Sequence, residues 1–223
     1  MKVTVKAHLN TTWDKLKKSN HLPSGSIIPI TLKNGDSIEV DVARDATGKT
    51  FFVFHDCYGK HRMNKERTNE GGWEESDMRR YANEEIFELF PDDLQEVIVP
   101  TKIVQIWDGR RHETEDKLFC LSETQVFGTG AWSNDQDPED TQLDVFKTKR
   151  DRVKNLDGET YPWWLRSAYN TNNFSYVNSN GNENNNNANN SNGLVLGFNI
   201  GFYRESKYVR KSARCRRSNQ PSG

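Results

Sequence analysis

From Tyr161 to Ile200 the chain reads YPWWLRSAYN TNNFSYVNSN GNENNNNANN SNGLVLGFNI, and the reading of this stretch decides the fold. It opens on an aromatic and aliphatic block, Trp163-Trp164-Leu165, and closes on an apolar run from Leu194 to Ile200. Between them asparagine fills 13 of the 23 positions from Asn170 to Asn192, against 10 in the other 200 residues. Composition alone makes such a tract low-complexity, disordered or aggregation-prone. Yet Phe174-Ser175-Tyr176-Val177 and the closing run are strand material, with Asn180-Gly181 and Asn192-Gly193 as turn signals. Apolar strands around a tract lose their neighbours unless the tract folds with them. The expectation is an ordered segment in which Val177, Leu194, Leu196 and Phe198 point inward.

Upstream, Ile27 to Leu32, the turn signal Asn34-Gly35 and the alternating Ser37 to Ala43 predict a hairpin with a type I′-like turn. Thr50 to Phe54 predicts a third strand. From Trp73 to Val99 the period changes to helical, with Ser76 as a cap and apolar turns at Met78, Tyr81 and Ala82, at Ile86 to Phe90, and at Leu94 to Ile98. Two or three short helices packed on a sheet fit that pattern. Ile103 to Trp107 and Lys117 to Leu121 predict strands, and Ser122 with Gln125 predicts a capping box. Gly128 to Asp157 reads as a long irregular loop with an acidic run from Asp135 to Asp140.

The whole chain has 223 residues, with 31 Lys and Arg against 32 Asp and Glu, a net charge of -1. That balance excludes a whole-protein pull on nucleic acid or on an anionic membrane surface. Leu, Ile, Val and Phe make up 47 residues, about 21%, near the level where chains stop folding. Aromatic residues at 11%, six of them Trp, argue instead for a folded domain diluted by a polar segment. No apolar run is long enough for a membrane helix. Met1 to Lys18 has basic residues but no apolar core, so no secretory signal is expected there. Cys57, Cys120 and Cys215 are odd in number and widely spaced, which suggests synthesis in a reducing cytoplasm without a disulfide framework. Cys120, in Leu118-Phe119-Cys120-Leu121, reads as a small buried hydrophobe.

Trp73-Glu74-Glu75-Ser76-Asp77-Met78-Arg79, Leu118 to Ser122, Trp163-Trp164-Leu165-Arg166-Ser167, Tyr176-Val177-Asn178-Ser179-Asn180-Gly181 and Ser191-Asn192-Gly193 follow one another in order. In this series the chain resembles the DUF6273 family. The resemblance runs over residues 25–203, after an N-terminal arm at 1–24 and before a basic tail at 204–223. It implies an α+β protein, C-type-lectin-like in its C-terminal half, with β-hairpins and short helices in its N-terminal half.

Within that resemblance, the asparagine-crowded segment is similar to the variable proteins of diversity-generating retroelements, carried by bacteria, phages or prophages. There a reverse transcriptase copies a template with errors at adenines and writes the copy over the 3′ end of a receptor gene. Every Asn codon begins with two adenines and ends in a pyrimidine, so randomising both reaches most amino acids and never creates a stop. What the resemblance implies is a ligand-binding protein without catalytic activity, whose hypervariable segment spans residues 163–200. Its variable positions are Asn170, Asn172, Asn173, Tyr176, Asn178, Asn180, Asn182, Asn184, Asn185, Asn186, Asn187, Asn189, Asn190 and Asn192. Trp163, Trp164, Leu165, Arg166 and Gly193 are its scaffold. The ligand is then a protein or a cell-surface group, the place a virion or a displayed surface, and no cofactor is needed. Asparagine is small, donates and accepts, and tolerates turns, so it is harmless on a surface until replaced by Tyr, Trp or Arg. The rivals are a lectin-like carbohydrate module of fixed specificity and a relative of the formylglycine-generating enzymes, for which Cys120 and Cys215 lack motif context.

Three other constellations carry weaker chemistry. His55-Asp56-Cys57 with His61 suggests a Cys/His nucleophile, but neighbours on a strand point to opposite faces, and a strand-end surface cluster is the expectation. Trp132 to Asp137 with Glu139-Asp140 could supply oxygen ligands to calcium, yet it lacks the glycine-punctuated EF-hand pattern, so a solvated acidic loop is expected. Arg166 reads either as a tie for the loop of the asparagine segment through charge-assisted bonds or as a surface arginine. The basic residues Arg204, Lys207, Arg210, Lys211, Arg214, Arg216 and Arg217 form a block that suits phosphate-rich partners or the acidic loop. With no interleaved aromatic residues beyond Tyr203 and Tyr208, it is expected to be a solvated tail, with no specific nucleic-acid partner.

Overall fold

The computed structural model describes residue 13 and residues 22–46, 49–133 and 136–201. The predicted hairpin forms from β1 (Ile27–Thr31) and β2 (Ser37–Ala46), with Ile28 opposite Val40 and Ile30 opposite Ile38. Its turn differs from the type I′ expectation. Gly35 N–H donates to Leu32 O and Leu32 N–H to Asp36 O, and of the Asn34-Gly35 pair only Gly35 has a positive φ, +90°. Three residues thus link the strands in a type I turn closed by a glycine bulge. The Asn34 side chain holds this loop by accepting from Asp36 N–H and donating to the Asp36 carboxylate.

β3 (Lys49–Phe54) continues the meander beside β2, and β4 (Lys60–Arg62) follows in a second sheet. The predicted helices are α1 (Asp77–Arg80), prolonged by a π-turn over Tyr81–Ile86 and a 3-10 turn over Phe87–Leu89, and α2 (Asp92–Gln95). Ser76 caps α1, its Oγ accepting from Arg79 N–H. Met78, Ala82, Ile86, Phe87, Phe90 and Leu94 are all buried, and Phe90 meets the ring of Phe198 edge-on at 5.6 Å.

After the short β5 (Ile98–Val99), β6 (Thr101–Trp107) pairs along its whole length with β7 (Arg110–Asp116). β7 was not expected. Its sequence, Arg-Arg-His-Glu-Thr-Glu-Asp, is polar on both faces and gives no apolar alternation. The predicted strand over Lys117 to Leu121 shrinks to β8 (Phe119–Cys120), because Asn83 Oδ1 takes the N–H groups of Lys117 and Leu118. The capping box of Ser122 and Gln125 starts α3 (Glu123–Phe127) as predicted. The segment 128–157 holds 3-10 turns at Asp144–Phe146 and Arg150–Arg152, then β9 (Lys154–Leu156), which forms a small hairpin with β10 (Glu159–Tyr161).

The decisive stretch forms β11 (Trp163–Tyr169), β12 (Asn173–Val177), β13 (Glu183–Asn187), β14 (Ser191–Gly193) and β15 (Leu196–Gly201). Asn192-Gly193, predicted as a turn, is therefore strand, paired with β4 on one side and β11 on the other. Two sheets result. One runs β1-β2-β3-β15-β5 with β8 also on β15; the other runs β13-β12-β11-β14-β4. Phe52 stacks on Phe198 at 5.3 Å, and Val177, Leu194, Leu196 and Phe198 are all buried, as predicted. The architecture is α+β and strand-rich. No helix among the described residues is long and apolar enough to cross a membrane. Most of the 1–24 arm, the 204–223 tail and Cys215 lie outside the described residues.

Candidate functional site: the asparagine hairpin and its frame

β12 and β13 form an antiparallel hairpin at one end of the five-stranded sheet, with Phe174 opposite Asn186 and Tyr176 opposite Asn184. Its inner neighbour β11 is buried from Trp163 to Ala168. Trp163 Nε1 donates to Arg152 O at 2.9 Å and Trp164 Nε1 to His61 O at 2.8 Å, so each indole is oriented as well as buried. Tyr176 is half-buried, edge-on to Trp164 at 6.2 Å.

Arg166 is not a surface arginine. It is fully buried, donating to Cys120 O and Gln125 Oε1 at 2.9 Å, with its Nε 3.2 Å from Asp137 and its second terminal nitrogen on Asp140. The acidic loop is correspondingly not a solvated one. Asp137 is buried and accepts from Ser167 Oγ at 2.6 Å, while buried Glu123 accepts from the backbone of Trp132 and Ser133. Burial pushes the Asp137 carboxyl up to about 6, against the opposing pull of Arg166. No group of three or more His, Cys, Asp or Glu placed to hold a metal ion occurs among the described residues.

The thirteen asparagines do not share one environment. Asn170, Asn180, Asn189 and Asn190 are exposed, Asn172, Asn173, Asn178, Asn182 and Asn184 to Asn187 are half-buried, and Asn192 is only 3% exposed. Four of them, Asn170, Asn178, Asn184 and Asn186, accept from backbone amides. Asn170 has φ +51°, and its Oδ1 accepts from the N–H groups of Asn172 and Asn173. Asn178 Oδ1 accepts from those of Asn180 and Asn182, closing the hairpin tip. Buried Asn192 sits opposite His61 and accepts from Asn186 Nδ2 at 3.4 Å. The other side chains bond mainly to one another, as Asn173 Nδ2 does to Asn185 Oδ1 at 2.6 Å.

Several distant partners of this hairpin gave no signal in the sequence. Buried Asn69 donates from one Nδ2 to the carbonyls of Tyr169, Asn170 and Asn173, at 2.7 to 3.2 Å, and so pins the hairpin base. At the tip, Gly181 has φ +78°, and a Cβ there would lie 2.2 Å from Lys149 O; Arg152 Nε donates to Gly181 O. Gly193 is equally confined, since a Cβ would lie 2.4 Å from Cys57 Sγ and 3.0 Å from Pro162 O. These partners lie 29 to 136 residues away along the chain, beyond the reach of any local pattern.

The Cys/His constellation does not assemble. His55 Nδ1 lies 3.0 Å from Asp41, His61 stacks on Tyr81 at 4.1 Å, and burial pushes the Cys57 thiol up to about 12. Cys120 is buried as predicted, its thiol also pushed up to about 12.

A strand-rich α+β protein with an asparagine-bearing hairpin on a buried aromatic frame is thus the class that fold and site define. The chain belongs to the family described as Domain of unknown function (DUF6273), whose model matches residues 47–210. β1 and all of β2 precede that span, yet pair into the same sheet as β3. No match to the chain was found among the curated proteins or among the solved structures.

Proposed function

We propose that this protein is a receptor-type binder whose β12–β13 hairpin and following residues form an exchangeable ligand surface, diversified by adenine-directed retroelement mutagenesis. The observation that carries the reading is the contrast within one sheet. Twelve of the thirteen asparagines keep some exposure, while Trp163, Trp164, Leu165 and Arg166 beside them are fully buried. A frame that is closed and satisfied tolerates changes on the strands next to it. In this reading the C-terminal half is C-type-lectin-like, the ligand is a protein or a cell-surface group, and neither metal nor cofactor takes part. The all-amide surface itself binds weakly, because each new hydrogen bond replaces one to water and yields only about 1 kcal/mol. Tyr, Trp or Arg at the same positions supply the anchors that amides lack.

Deep sequencing of this gene in a population of its host tests the proposal. The expected result is substitution concentrated at the asparagine codons from 170 to 192, with Trp163, Trp164 and Gly193 constant. Substitutions scattered evenly along the gene overturn it, and identical copies throughout point to a binder of fixed specificity instead.

A further inference from the structure

β13 is the terminal strand of its sheet, and its outward backbone groups have no strand partner among the described residues. The register shows which groups these are. Asn178 N–H donates to Asn182 O and Ala188 N–H to Asn172 O, so the even-numbered residues from 182 to 188 bond toward β12. By the alternation of an antiparallel ladder, Glu183, Asn185 and Asn187 turn their N–H and C=O groups outward. Two of those donors are already taken. Asn185 N–H donates to Asn184 Oδ1 at 2.8 Å, and Asn187 N–H to Asn186 Oδ1 at 3.0 Å. Each even-numbered asparagine folds its side chain over the edge and occupies the amide that follows it.

An open edge of low charge is a template for another strand, and natural sheets block such edges. We propose that Asn184 and Asn186 are edge guards, and that without them β13 pairs antiparallel with β13 of a second copy of this chain. Charge selects that occupant. Pairing centred on Asn185 sets Glu183 of each copy opposite Asn187 of the other. Asn187 Oδ1 accepts from the exposed Arg67 Nε at 3.0 Å, so each Glu183 meets the other copy's Arg67. The two contacts are equivalent by twofold symmetry, and the dimer closes because both β13 edges are consumed. The inference rests on hydrogen bonds and register alone and does not depend on diversification. It predicts that exchange at 184 and 186 changes assembly, whereas exchange at 189 changes only the surface; Asn190 Nδ2 donates to the Asn186 Oδ1 at 2.6 Å and so belongs with the guard.

The test is sedimentation of the full chain over a concentration series, with circular dichroism to verify folding. The native chain is expected to stay at 25.8 kDa, and N184V/N186V to approach twice that mass as concentration rises. Adding E183K, which faces Arg67 of the other copy, should abolish the doubling, and adding R67E as well should restore it. N184D/N186D keeps the acceptors and should remain monomeric. A folded N184V/N186V that stays monomeric overturns the proposal, as does a doubling indifferent to E183K or already present in the native chain. If the valine pair does not fold, N184T/N186T gives the same reading, with a doubled mass supporting the guards and a single mass overturning them.

Discussion

β11 and β13 belong to one sheet, separated only by β12, yet they obey opposite rules. β11 carries two tryptophans and an arginine, all fully buried, and Trp164, Arg166 and Ser167 direct their polar groups at partners 26 to 103 residues away along the chain. β13 carries one exposed glutamate and four half-buried asparagines, whose side chains bond mostly within the hairpin. Replacement on β11 therefore breaks contacts between distant segments, while replacement on β13 breaks contacts that are local and cheap. The sheet is rigid at its centre and permissive at its edge because of where the partners come from.

The sharpest way to break this contrast is Arg166→Leu, which leaves Asp137 and Asp140 without their cation. Loss of one partner from a buried ion pair costs about 3–5 kcal/mol, read as a lower urea midpoint. Asn185→Leu should cost a few tenths by the same measurement. Equal losses at the two positions dissolve the distinction.

The same cluster has a pH signature. Asp137 ionises near 6 in the folded chain against an ordinary 3.8, so the folded state binds the extra proton between those values. Stability from this group is complete below about pH 4 and is lost as the pH rises through 6. The stability difference between the native chain and Asp137→Asn should shift by on the order of 3 kcal/mol from pH 8 to pH 4, the native chain gaining on acidification. Burial sets that shift; Arg166 and the Ser167 hydroxyl oppose it, and Asp140 and Glu123 add to it. A pH-independent difference means that Asp137 titrates normally.

Gly193→Ala comes next, at about 1–3 kcal/mol, because its methyl meets Cys57 Sγ and Pro162 O. Adding Cys57→Ala removes the sulfur and should return part of the loss in melting temperature. Full recovery assigns the whole constraint to Cys57, and no recovery assigns it to Pro162.

Smallest of all are differences among the asparagines themselves. Asn170→Ala should lose about 1 kcal/mol, since alanine neither favours φ +51° nor caps the two following amides. Asn189→Ala should change thermal stability by less than about 0.5 kcal/mol. Indistinguishable melting curves for the two variants erase the division of the asparagines into structural and free.

What the sequence made legible follows from the range of the forces involved. The strands with apolar alternation, the Ser76 cap and the Ser122–Gln125 box are local, and they stand where the pattern put them. Turn chemistry was legible but partly misassigned. Asn34-Gly35 closes a three-residue loop, whereas the positive-φ pairs of type I′ kind are Asp108-Gly109, at 49° and 68°, and Asp157-Gly158, at 54° and 86°. Each of those pairs leads into a strand too polar to stand out, β7 and β10, so the turn signal lacked a pattern on both sides to confirm it. The partners Asn69 to Tyr169, Arg166 to Asp137 and Gly193 to Cys57 are tertiary, and a single chain of letters carries no trace of them. The same holds for the split among the asparagines, which are one residue type in three environments: exposed, half-buried and buried.

β15 is the last described strand, yet it lies in the middle of its sheet, bonded to β3, β5 and β8. During synthesis the first hundred residues therefore emerge with a gap where their central strand belongs. The two halves of that sheet wait, unjoined, until residues 196–201 leave the ribosome. Contacts that span this much chain are slow to close. Translation that stops anywhere in the asparagine field does not shorten this protein by an appendage; it removes the strand on which the whole sheet is assembled.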